Sequence, residues 1–143
     1  MAAHLVLELT AEPRAASRAR REVGQWLASL CGADQACDTA SDLVLAVNEA
    51  VSNSIEHAYG GYPEGTRGIV TLRAEIERPG PRVRVEVSDH GRWRDPPEDS
   101  GFRGRGLLMI TACAEDVSVR PGPDGTTVTL HGTLGRCPGI CRT

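Results

Sequence analysis

Asn48-Glu49-Ala50-Val51-Ser52-Asn53-Ser54-Ile55-Glu56-His57 is the stretch on which the reading of this chain turns. Helical spacing puts Glu49, Asn53 and His57 at i, i+4 and i+8 on one face, while Leu43, Val47, Val51, Ile55 and Ala58 line another. One helix therefore carries a polar stripe beside a core-facing one. A start signal stands at Asp38 and Thr39, with acids in the first turn favouring the helix dipole, and the helix runs to about Ala58. A carboxylate and a carboxamide one turn apart set a general base beside an oxygen ligand for Mg²⁺. Taken alone, the stripe reads first as a polar face turned to water.

Upstream of this helix, Leu5, Leu7 and Leu9 alternate with His4, Val6 and Glu8, a period of two that suits a strand with one buried face. Thr10 then offers an N-cap and Pro13 fits a first helical turn. The helix that follows carries Ala15, Ala19, Val23, Trp26, Leu27 and Leu30 on one stripe and ends near Gly32. Downstream, Val70, Leu72, Ala74 and Ile76 alternate, Pro79-Gly80-Pro81 turns, and Val83, Val85 and Val87 answer them as a hairpin. Residues 89–104 form a long aperiodic loop. A short helix starts at Gly104 or Gly106 with Leu107, Leu108 and Ile110, and a last hairpin pairs Val117 and Val119 with Val128 and Leu130 across Pro121-Gly122-Pro123-Asp124-Gly125.

This order predicts an α+β, two-layer sandwich: a mostly antiparallel sheet covered on one face by helices. Residues 1–131 read as a single domain, and 132–143 as a flexible tail containing cysteine.

Composition narrows the function. The chain has 143 residues, a net charge of -3 and no lysine, with its arginines scattered among acids. Such a surface lacks the basic footprint of a nucleic-acid binder. The longest aliphatic runs, such as Leu107–Ile110, fall far short of the ~20 residues a membrane span requires. No secretory signal is visible, so a cytoplasmic setting is expected. Five cysteines, at 31, 37, 113, 137 and 141, form no C-x-x-C pair and read as free thiols. Cys137 and Cys141 remain open to pairing or metal binding.

Two further motifs carry chemistry. Val87-Ser88-Asp89-His90-Gly91 puts a carboxylate at a strand end beside a glycine, suited to accept a hydrogen bond from an exocyclic amine such as that of adenine. Gly101-Phe102-Arg103-Gly104-Arg105-Gly106-Leu107 opens a helix with glycines and arginines, suited to an anion such as phosphate.

The order of these motifs resembles the GHKL (Bergerat-fold) ATP-binding superfamily, and within it the small anti-sigma factor and serine-protein kinase family. Glu49-Ala50-Val51-Ser52-Asn53 looks like the N box, Asp89-His90-Gly91 the first glycine box, Gly104-Arg105-Gly106 the second, and Gly125-Thr126-Thr127 the closing Gly-Thr motif. The resemblance covers most of residues 10–131.

It implies that Glu49 orients or deprotonates the attacking hydroxyl and that Asn53 holds Mg²⁺ against the phosphates of ATP. Asp89 would read adenine and Gly91 would let the base lie against the backbone. Gly104 and Gly106 would cradle the phosphates with Arg105 as a further contact, and Thr126, or Thr127 if the register is off by one, would support Asp89 or a water at the base. His57 matches a histidine frequent after the N box. The chain departs from the pattern at Trp93, where the first glycine box often has its second glycine.

Histidine kinases usually lack the N-box glutamate and need a phospho-accepting helical hairpin, for which the residues before Asp38 leave no room. Gyrase-like ATPases attach transducer domains. The resemblance therefore implies a stand-alone regulator: an ATP- and Mg²⁺-dependent protein serine/threonine kinase acting on an anti-sigma antagonist, able also to sequester a sigma factor, and homodimeric. The alternative is a nucleotide-gated anti-sigma binding module without significant kinase activity.

Overall fold

Alternation of aliphatic with charged or hydroxylated residues produces, among the described residues, five strands: β1 (His4–Thr10), β2 (Ile69–Glu77), β3 (Arg82–Asp89), β4 (Glu115–Gly122) and β5 (Gly125–Thr133). They form one sheet in the order β1-β2-β3-β5-β4, every pairing antiparallel. The structure, a computed structural model, describes residues 4–29, 38–59, 68–77, 82–91 and 109–133.

One face of the sheet is apolar. Leu7 and Leu9, Val70, Leu72 and Ala74, Val83, Val85 and Val87, and Val128 and Leu130 all point to it and are buried. Among the described residues, the two long helices cover that face. Helix α1 (Arg14–Ser29) buries Ala15, Ala19, Val23, Trp26 and Leu27 and packs on α2 and β1. Helix α2 (Asp38–Tyr59) buries Ala40, Leu43, Ala46, Val47, Ala50 and Val51 and lies over β3 and β5. Ile110, in a helical turn at 109–113, is fully buried in the same core.

The other face is charged, and its charges fix the register. Across β2 and β3, Arg73 stands opposite Glu86, Glu75 opposite Arg84 and Glu77 opposite Arg82. Arg84 bonds Glu75 and lies 3.4 Å from Glu86, and Arg82 lies 3.7 Å from Glu77. Each exposed pair contributes only a few tenths of a kcal/mol, on the order of 0.2–1. Their effect is on specificity. A two-residue slip would set Glu75 against Glu86 in one direction or Arg73 against Arg84 in the other, and a one-residue slip would turn the valines of β3 to water.

The structure departs from the sequence reading in two places. Thr10 is the last residue of β1, not a cap: its carbonyl accepts from Glu12 N at 2.8 Å, Glu12 O accepts from Ala15 N at 2.9 Å, and α1 begins at Arg14 after this turn. Strand β5 continues through Gly132 and Thr133, both placed in the tail by composition. The reason is local: Thr133 N donates to the Glu115 carboxylate at 2.8 Å, and Gly132 lies under Leu43 with 3.4 Å between its Cβ position and the leucine methyls. Glu115 itself begins an irregular stretch of β4, where the register shifts before Ser118 and Asp116 adopts a φ of 47° while pairing with Arg82. The ends of the first helix and of the tail, including Leu30, Gly32, Cys137 and Cys141, lie outside the described residues.

Leu43 joins the first half of α2 to β5 and has no exposed surface. Leu43→Ala is expected to lower the unfolding free energy by about 2–5 kcal/mol in urea denaturation, because the cavity borders on a glycine that cannot fill it.

Candidate functional site

Strands β3 and β5 end side by side. The last residue of β3, Asp89, is only 3% exposed, and its carboxylate accepts a hydrogen bond at 3.2 Å from the backbone N–H of Thr126, the second residue of β5. Thr126 is also 3% exposed and shares the helix-covered face with Asp89. Thr127 points the other way, where its hydroxyl meets that of Ser88 at 3.0 Å. The structure thus separates the two threonines left open by the sequence: Thr126 stands with Asp89, and Thr127 faces the charged side of the sheet.

Gly125 makes this junction possible. Its φ is +146°, and a Cβ placed on it would lie 1.8 Å from Asp89 O, 2.8 Å from Asp89 C and 3.0 Å from His90 Cα. No side chain fits there, and no L-residue adopts that backbone conformation without strain. Gly91 is buried directly after His90.

Helix α2 brings its polar stripe to the same end. Leu43 sits on Gly132, so the helix begins over the far end of β5. From Gly132 back to Thr126 the strand covers about 20 Å, and from Leu43 to Ser54 the helix advances about 16 Å. The buried stripe of α2 continues to Asn53 and Ser54, 8% and 1% exposed, and a helix laid along β5 from Gly132 carries them toward the end that holds Asp89 and Thr126. Glu49 is half-buried one turn before Asn53, and His57 is half-buried one turn after it.

The flank on which Glu49 stands is located by a thiol. Val44 of α2 faces Gly24 of α1, whereas Asp42, Glu49 and Asn53 lie about 140–180° around the helix from Val44. There Asp42 and Glu49 approach the helical turn at 109–113. Burial pushes the Cys113 thiol up, and the carboxylates of Asp42 and then Glu49 push it further. Cys113 therefore stays protonated and is a poor nucleophile. Gly104, Arg105, Gly106 and Trp93 lie outside the described residues. A separate cavity of about 380 Å³, bordered by Arg14, Arg18 and Arg21, opens between β1 and α1 and contains none of the residues above.

A buried carboxylate and a buried threonine thus meet at one end of an otherwise apolar layer, beside a backbone junction that only glycine permits, and the helix that covers these strands carries a buried carboxamide and a half-buried glutamate. A model of the histidine kinase-like ATPase domain matches residues 9–131. The chain belongs to that family. Membership carries nucleotide binding on a kinase-type ATPase fold. The chain is 30% identical to the anti-sigma F factor of Halalkalibacterium halodurans over 94% of its own length and 95% of that protein's. It is 30% identical to the anti-sigma F factor of Caldanaerobacter subterraneus over 84% and 86%. Among solved structures, it superposes with a TM-score of 0.70 on the RsbU and RsbW domains of a Mycobacterium tuberculosis protein, at 27% identity, covering 96% of this chain and 34% of that one. These relatives support the anti-sigma factor and serine kinase branch that the motifs resemble.

Sequence reasoning quoted Gly125 only as part of a motif and gave Ser54 and Cys113 no part at all. For Gly125 the signal was available in the Pro-Gly-Pro-Asp-Gly turn. Gly125→Ala is expected to cost more than the ~1–3 kcal/mol of backbone strain alone, since it also drives β5 away from Asp89. Gly122→Ala, whose added Cβ would meet nothing nearer than 3.4 Å, should leave the urea midpoint almost unchanged.

Proposed function

We propose that this chain is an ATP-binding regulator of the anti-sigma type that transfers a phosphoryl group to a serine or threonine of its antagonist protein. The observation that carries this reading is the Asp89 carboxylate, buried and oriented by Thr126 N–H where β3 and β5 meet, in the two strands that α2 covers. It stands in a chain that matches anti-sigma F factors over nearly its whole length.

The residues fit a nucleotide. Asp89 is a pure acceptor when ionised and suits the amino group of adenine, while Gly91 leaves the adjoining backbone open to the base. Thr126 holds Asp89 in place and offers its hydroxyl at the base. Asn53 supplies an oxygen suited to Mg²⁺, a hard cation. Gly104, Arg105 and Gly106 are assigned to the phosphates by the resemblance. ATP with Mg²⁺ supplies the phosphoryl group and neutralises its charge. Glu49, one turn from Asn53, accepts the proton of the incoming hydroxyl.

The partners in this reading are an anti-sigma antagonist, which receives the phosphoryl group, and a sigma factor, which the same domain sequesters in the cytoplasm. The active form is a homodimer. The second reading, a nucleotide-gated binding module without kinase activity, is favoured by Trp93 in place of the second glycine of the first box.

A transfer assay separates the two. With γ-labelled ATP and the antagonist that co-purifies with the chain, label should appear on serine or threonine of the antagonist. Glu49→Ala should slow transfer by about 10²–10⁴-fold, the range of a general base, while leaving co-purification intact. Transfer by Glu49→Ala at the unaltered rate removes Glu49 from the chemistry, and no transfer by the unaltered chain favours the binding module.

A further inference from the structure

The cavity of about 380 Å³ between β1 and α1 has no part in the reading above. Its floor is apolar, formed by Leu9 and Ala15, both buried, and its wall is basic. Arg14, Arg18 and Arg21 follow at i, i+4 and i+7, so they leave α1 within about 60° of one another and border the same opening. Guanidinium groups gathered this closely repel one another unless an anion stands between them. Among the described residues no ion pair involves any of the three, although Glu12 stands on the same rim. On the charged face of the sheet, Arg82 and Arg84 are both paired.

Further donors are in place. Arg18 Nη1 donates to the carbonyl of Glu8 at 3.4 Å, which draws its guanidinium toward β1 and leaves its other N–H groups to turn to the opening. Thr10 and Ser17 add exposed hydroxyls to the lining. The excess of positive charge is local, since the whole chain carries a net charge of -3. The volume falls within the range of small-molecule pockets, about 300–1,000 Å³. Planar guanidinium forks match phosphate oxygens two at a time.

We infer that this cavity is a second binding site, for a small molecule that carries linked phosphate groups, with Arg14, Arg18 and Arg21 as its anion contacts. From Arg14 to Arg21 the helix advances about 10 Å, more than one phosphate spans, which favours linked phosphates over a single one. Neither the cavity nor its charge depends on the nucleotide reading. Leu9 pairs with Val70 and Val70 with Asp89, so the floor of the cavity lies two strands, about 10 Å, from Asp89.

The test is calorimetric titration of the full chain with pyrophosphate at constant ionic strength and without Mg²⁺, with the Tm of each protein read in the absence of ligand. Arg14→Gln and Arg21→Gln are compared with two substitutions that remove the same charge elsewhere, Arg105→Gln at the proposed phosphate end of the nucleotide site and Arg120→Gln on β4. The unaltered chain should bind pyrophosphate saturably. Arg14→Gln and Arg21→Gln should each weaken it about 5- to 30-fold, the size of a charge-assisted hydrogen bond at a solvent-open site, with Tm unchanged because both side chains are exposed. Arg105→Gln and Arg120→Gln should bind as the unaltered chain does. A loss confined to Arg105→Gln would put pyrophosphate in the nucleotide site, and equal weakening by all four variants would reduce the effect to net charge; either overturns the inference. No saturable binding at millimolar pyrophosphate overturns it too, and if Arg14→Gln and Arg21→Gln then release a co-purifying protein, the cavity is a dock for an acidic segment of that partner.

Discussion

The contact between the start of β5 and the end of β3 is the constraint on which the site depends. Gly125 brings its backbone against that of Asp89, closer than any side chain allows, and Thr126 then donates its N–H to the Asp89 carboxylate at 3.2 Å. A carboxylate 3% exposed in an apolar layer is stable only when such donors meet it. The same contact joins the two strands that α2 covers, so the acceptor for a base and the floor beneath the N-box helix are fixed together.

From that junction the remaining architecture follows by register. The charge pairs of β2 and β3 hold the valines of β3 inward, which sets Asp89, two residues beyond Val87, on the helix-covered face. Leu43 on Gly132 fixes where α2 begins, and the rise of the helix then carries Asn53 and Ser54 toward the opposite end of β5. Glu49 lands on the flank facing the turn at 109–113, where its charge reaches Cys113. The polar residues are therefore placed by apolar contacts made some distance away.

Much of this was legible in the sequence because it rests on periodicity. The buried residues of α1 and the inward residues of β1, β3 and β5 were readable from spacings of 3.6 and 2. The polar stripe of α2 was readable too, although only the ordered glycine motifs gave it meaning. What could not be read were features created by contact between distant segments. Gly132 and Thr133 look like the start of a polar tail until Leu43 and Glu115 are brought against them. Thr126 and Thr127 are interchangeable by composition, and only the strand pairing turns one toward Asp89 and the other toward Ser88. Arg14, Arg18 and Arg21 look like charges scattered among acids, because only the packing of α1 on β1 gathers them around one cavity.

The central claim is that the end of the sheet holding Asp89 is a site for an adenine nucleotide. Calorimetric titration with ATP and GTP, with and without Mg²⁺, on the unaltered chain and on Asp89→Asn, tests it most directly. The account predicts ATP binding that Mg²⁺ strengthens, that GTP does not share and that Asp89→Asn loses. Equal affinity for ATP and GTP, ATP binding retained in Asp89→Asn, or no binding at millimolar ATP would contradict it.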